Sequence, residues 1–98
     1  MGDATQGNNS FQRLYAWPNP VRETFHGNIT IDGLTNESTV KITDVAGNLV
    51  YKTISNGGRA IWDGKNRNGE LVNTVVYLIF CADSEGNESR VIKLLFIH

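Results

Sequence analysis

Asp63-Gly64-Lys65-Asn66-Arg67-Asn68-Gly69-Glu70 is the stretch of this sequence that comes nearest to a site for chemistry. Oxygen-bearing side chains at alternate positions are how a loop wraps a hard divalent cation such as calcium. The register fails here. With Asp63 as first ligand, Lys65 and Arg67 occupy the third and fifth positions, where carboxylates or amides are needed, and two cations in the cage repel the ion. Starting at Asn66 leaves Glu70 as the only carboxylate. The loop reads instead as a turn: Asn and Gly accept left-handed backbone, and the Asp63 carboxylate can accept backbone N–H bonds that pin it. Asp44, Glu85 and Glu88 also sit in turns, where solvated acids are the ordinary case. Cys81, the single cysteine, lies in the most apolar stretch and reads as a small buried hydrophobe. Neither His26 nor His98 has a context that pairs it with a nucleophile, and no phosphate-cradling Gly-rich loop or metal-ligand spacing occurs. The expectation is a protein without catalytic residues, cofactor or metal.

The elements that would carry these turns are strands. Val, Ile, Thr and Asn are abundant and Gly numbers 10, whereas no apolar pattern of helical period persists over three turns. At 98 residues, 40% hydrophobic and 19% charged, the chain can bury one modest core. A net charge of −1 lacks the basic footprint of a nucleic-acid or anionic-membrane binder. The longest apolar run, Val75 to Ala82, is far short of the ~20 residues of a membrane helix.

Residues 1–10 read as a flexible lead-in without a signal peptide's apolar segment, at a boundary inside a longer polypeptide. Residues 11–98 form one domain. Its first strand runs from Phe11 to Trp17 and stops at Pro18-Asn19-Pro20. Further strands are expected at His26–Asp32, Ser38–Asp44, Leu49–Ile54, Arg59–Trp62, Thr74–Ala82 and Ser89–Ile97, separated by Gly- and Asn-rich turns. No internal repeat is apparent. Seven short strands at this spacing predict an all-β, seven-stranded immunoglobulin-like antiparallel β-sandwich. Ile31, Val40, Ile42, Val50, Trp62 and Val76 are expected to be buried together, with Lys41 and Thr43 facing out.

Two features bear on function. Trp17, Tyr51, Trp62 and Tyr77 could stack on sugars, although each also has a role available in a core. The last strand puts bulky apolar groups on both faces: Val91, Ile92, Leu94, Leu95, Phe96 and Ile97. One face enters the core. The other exposes apolar area unless loops, an adjoining domain, a second copy or a receptor covers it.

Four boxes along the chain occur in an order that resembles a known family. They are Trp17-Pro18-Asn19-Pro20-Val21, the hairpin from Val40 to Val50, Trp62-Asp63-Gly64-Lys65-Asn66 with Asn68-Gly69 and then Val76-Tyr77, and Lys93 to Ile97. The pattern is similar to the C-terminal sorting domains of the type IX secretion system in Bacteroidetes, shared with the Ig-like domain of flagellar hook-capping proteins, and covers about residues 14–98. The resemblance implies an Ig-like sandwich at the end of a larger exported protein, located in the periplasm, on the outer-membrane surface or in the medium. It implies recognition by the secretion and attachment machinery, or packing on the parent protein, through Val76, Tyr77, Lys93, Leu95 and Ile97, with self-association through the last strand as a further option. Val75, Ile92 and His98 depart from the family's usual Gly, Gly and Lys or Arg. A sugar-binding or structural accessory module of a surface protein is the alternative.

Overall fold

The computed structural model describes residues 11, 13–72 and 75–97. The expected lead-in at 1–10, the first residue of the strand expected from Thr74, and His98 lie outside them. Eight strands follow one another: β1 Tyr15–Trp17, β2 Val21–Arg22, β3 Ile29–Asp32, β4 Thr39–Asp44, β5 Leu49–Ile54, β6 Arg59–Trp62, β7 Val76–Ala82 and β8 Ser89–Ile97. They make a three-stranded sheet in the order β1-β3-β6 and a five-stranded sheet in the order β2-β8-β7-β4-β5. The immunoglobulin-like sandwich is as expected, with eight strands instead of seven. The added strand, β2, runs parallel to β8, with Val21 opposite Phe96 and Arg22 opposite Ile97, so the sheets are not wholly antiparallel. Two residues are too few to show a period in sequence.

Alternation in the longer strands sets the core. β3 contributes Ile29 and Ile31, β6 Ala60 and Trp62, β4 Val40 and Ile42, β7 Tyr77, Ile79 and Cys81, and β8 Leu94; all are buried in one cluster between the sheets. Of the six residues expected together, Ile31, Val40, Ile42 and Trp62 are fully buried, and Val50 packs on the cluster half-buried. Val76 lies on the opposite face. β7 is apolar throughout, so composition gives no phase; Tyr77 takes the inward position and turns Val76 outward. Thr43 is also buried, although the unbroken β4–β7 register puts it opposite Leu78, on the same face as Lys41; β4 has a bulge against β5 at this point.

Trp62 is the hub of this core. Its ring stacks on Tyr51 with centroids 6.4 Å apart and meets the edges of Tyr77 at 5.8 Å and Phe96 at 6.1 Å. Tyr77 and Phe96 in turn meet at 5.4 Å. The indole N–H donates to the carbonyl oxygen of Lys65 at 2.9 Å, so the same side chain holds the loop after β6. Edge-to-face pairs add roughly 0.5–1.5 kcal/mol each beyond burial. Trp62→Ala is therefore expected to lower unfolding free energy by about 3–5 kcal/mol in urea titration. Trp62→Phe keeps most of the packing, strands the Lys65 carbonyl, and is expected to cost about 1–3 kcal/mol.

Candidate functional site

β7 and β8 form the longest hairpin, in continuous register from Ala82 opposite Ser89 to Val76 opposite Leu95. On its inner face, Tyr77 lies opposite Leu94 and Ile79 opposite Ile92. On its outer face, Val76 faces Leu95, Leu78 faces Lys93 and Phe80 faces Val91. Ile97 continues the outer row, two residues beyond Leu95. The five residues singled out by resemblance thus divide. Val76, Lys93, Leu95 and Ile97 share the outer face, and Leu95 and Ile97 are 38% and 43% exposed. Tyr77 is 3% exposed and belongs to the core. It can act on a partner only by fixing the strand that carries its neighbours.

The edge of β8 away from β7 is closed by a side chain. The Asn19 amide Nδ2–H donates to the Lys93 carbonyl at 2.9 Å, and the Leu95 N–H donates to Asn19 Oδ1 at 3.1 Å. This amide copies the two bonds that a neighbouring strand residue would make, and β2 takes over at Phe96. Pro18 and Pro20, both preceded by cis peptide bonds, flank it and bring no N–H of their own. The Trp-Pro-Asn-Pro-Val box therefore carries the chain from the small sheet at β1 to the large sheet at β2, with Asn19 bridging the gap. Sequence reasoning found the turn but not this role, which spans 74 residues in sequence.

Three turns hold the large sheet and the loop beside it with one device. In Asp44-Val45-Ala46-Gly47-Asn48, the Asp44 carboxylate accepts from the N–H groups of Ala46 at 3.0 Å and Asn48 at 2.9 Å, and Gly47 N–H donates to the Asp44 carbonyl. Asn66-Arg67-Asn68-Gly69-Glu70 repeats this with bonds from Asn68 at 2.9 Å and Glu70 at 3.0 Å. Asp83-Ser84-Glu85-Gly86-Asn87 repeats it with a bond from Asn87 at 2.7 Å. Each glycine has positive φ (91°, 82° and 74°), which a side chain would strain. The repeat missed in sequence is this local one, acid or amide, two residues, Gly, then a polar residue. In the loop after β6, Asp63 Oδ1 accepts from Lys65 N–H at 3.0 Å, the turn role expected of it.

Electrostatics follow the same bonds. The Asn48 side-chain amide, then its backbone N–H, hold the Asp44 carboxyl below the usual carboxylate range. The Arg59 guanidinium, 2.8 Å away, does so for Asp32, helped by the Trp17 indole N–H. Burial pushes the Cys81 thiol up to about 11, which leaves it protonated and unreactive at neutral pH. Among the described residues no three His, Cys, Asp or Glu side chains come together to hold a metal, and no helix is long and apolar enough to cross a membrane. Trp62 and Tyr77 are both in the core, so neither presents a ring face to a sugar. What the hairpin offers is a half-apolar surface backed by a packed aromatic core.

The family model for the secretion system C-terminal sorting domain matches residues 15–93. The chain belongs to that family. The match opens at β1 and ends inside β8, so it takes in Asn19 and Lys93, the turn after Asp44 and the Trp62 loop, and stops short of Leu95. Among solved structures, the chain is similar to part of PorZ of Porphyromonas gingivalis, described as an essential bacterial surface component of the type-IX secretion system. The two are 32% identical with a TM-score of 0.80, over 88% of this chain and 12% of the PorZ chain. The chain thus spans about an eighth of the length of that relative. No curated protein matches it.

Two measurements check how this sorting domain is held. Asn19→Ala removes both bonds on the free edge of β8, so the Leu95 amide is expected to exchange with solvent at least about tenfold faster, for a loss of 1.4 kcal/mol or more in local stability. Asp32 and Asp44 stay ionised in the native state at pH values where they would be protonated when unfolded. Their contribution is complete above the ordinary carboxylate range and is lost as pH falls through their lowered native values. The thermal midpoint is expected to hold steady down to about pH 5 and then fall. Asp44→Asn is expected to make that acid limb shallower in scanning calorimetry.

Proposed function

We propose that this sorting domain works without chemistry of its own, as a docking surface of a larger exported protein, read through the outer face of β7 and β8. Its partner is the type IX secretion and attachment machinery or a neighbouring domain of the parent chain. Val76, Lys93, Leu95 and Ile97 make the contact, and Tyr77 sets the strand from beneath. The observation that carries this reading is the exposed apolar row on β8. Val91, Leu95 and Ile97 are 55%, 38% and 43% exposed on one face, although the alternate residues of the strand already supply the core. Burying such a side chain fully is worth ~1.5–3 kcal/mol. Three together, already partly shielded, support a weak to moderate interface after the cost of association. The likeness to part of PorZ supports the same setting, since that protein is described as a component of the type-IX system at the bacterial surface. Location in the periplasm, at the outer-membrane surface or in the medium follows from this reading.

The test places the full chain behind a reporter with its own periplasmic export signal, in a strain with an active type IX system. The reporter is expected at the cell surface or in the medium. Leu95→Asp with Ile97→Asp, folded by circular dichroism, is expected to leave it in the periplasm. A wild-type fusion retained in the periplasm while a proven sorting domain exports the same reporter overturns the reading. A double variant exported as well as wild type overturns the choice of face.

A further inference from the structure

Strand register assigns every side chain of the large sheet to one of two faces, and the outer one has an unusual charge content. β2 gives Arg22, β8 gives Ser89, Val91, Lys93, Leu95 and Ile97, β7 gives Val76, Leu78, Phe80 and Ala82, β4 gives Thr39, Lys41 and Thr43, and β5 gives Lys52 and Ile54. Four of these are cations and none is acidic, in a chain whose net charge is −1. The acids sit elsewhere: Asp32 is on the small sheet, and the others described lie in turns or at strand ends.

The cations are also placed against their own interest. Lys41 lies directly opposite Lys52 in the β4–β5 register, and like charges at that spacing, about 5 Å between Cβ atoms, destabilise a sheet. Among the described residues the ion pairs are Arg59–Asp32 and Arg90–Glu88, and neither relieves Lys41, Lys52 or Lys93. Each of two lysines instead faces a large apolar group on β7, Lys41 opposite Phe80 and Lys93 opposite Leu78. Next to Phe80 and Val91 lies a depression of about 700 Å³ lined also by Thr39, Ala82 and Ser89, with Lys41 on its wall and, at its end, Arg90, which is paired with Glu88. A recess suits an inserted side chain better than it suits the plane of a lipid surface.

We infer that this face is read by a protein surface that sets Asp or Glu side chains around a protruding apolar one, the apolar group entering the recess by Phe80 and the carboxylates meeting Lys41, Lys52 and Lys93. The inference rests on the docking reading above and adds the chemistry of the partner. Complementary charge would supply orientation and encounter rate, and apolar burial the affinity.

The reporter fusion separates the two claims. With Lys41→Glu and Lys93→Glu together, export is expected to fall at least about tenfold, whereas Lys41→Arg with Lys93→Arg keeps it. Lys65→Glu with Arg67→Glu, which changes net charge equally on a loop outside this face, is expected to leave export unchanged. A wild-type fusion that is not exported overturns both claims. A wild-type fusion exported equally with the Lys41 and Lys93 reversal, or a loop reversal as damaging as the sheet reversal, overturns only the acidic-partner inference. Photocrosslinking in the same strain from p-benzoylphenylalanine at position 80 is expected to capture a machinery segment rich in Asp and Glu. Capture of a basic or uncharged segment, or of a second copy of this chain, overturns it, as does lysine-dependent sedimentation of the full chain with phosphatidylglycerol vesicles.

Discussion

The position of one indole decides which side chains this domain shows to the outside. Trp62 is fully buried between the sheets, and Tyr77 of β7 and Phe96 of β8 both pack their rings against it. Side chains alternate along a strand with a period of two, so anchoring Tyr77 and Phe96 inward forces Val76, Leu95 and Ile97 outward. A slip of one residue in β8 would bury Lys93 and expose Leu94, and a slip in β7 would expose Tyr77. The aromatic contact therefore fixes the register of the hairpin, and the register fixes the composition of the surface. The bond from the indole N–H to the Lys65 carbonyl extends the same control to the loop that leads into β7.

How much of this is legible in sequence depends on whether a residue's role is local. β4, β5, β6 and β8 appear close to their expected bounds because alternation and flanking turns are written within a few residues of each other. The first strand is shorter than expected, Tyr15–Trp17, yet Phe11 is still buried: an apolar residue can pack without joining a ladder. β7 is recognisable as a strand, but its phase is not, since every position is apolar. The role of Asn19 is not legible at all, because its two partners lie at the other end of the chain and nothing near position 19 announces them. The three Asp- or Asn-held turns fall between these cases. Their pattern is local and recurs at 44, 66 and 83, but it stands out only once the hydrogen bonds show that the first residue of each stretch does the same work.

An exposed apolar strand at the margin of a sheet is ordinarily a hazard, since its free N–H and C=O groups can pair with another chain. Here the hazard is divided. From Lys93 onward, the edge of β8 is occupied by the Asn19 amide and then by β2. Main-chain pairing is closed at the stretch where Leu95 and Ile97 are most available, while their side chains remain open on the face. A partner addressing this stretch meets side chains, not backbone, and must match shape and charge instead of adding a strand. That distinction separates selective docking from generic strand addition, and it comes from an amide held between two prolines at the opposite end of the chain.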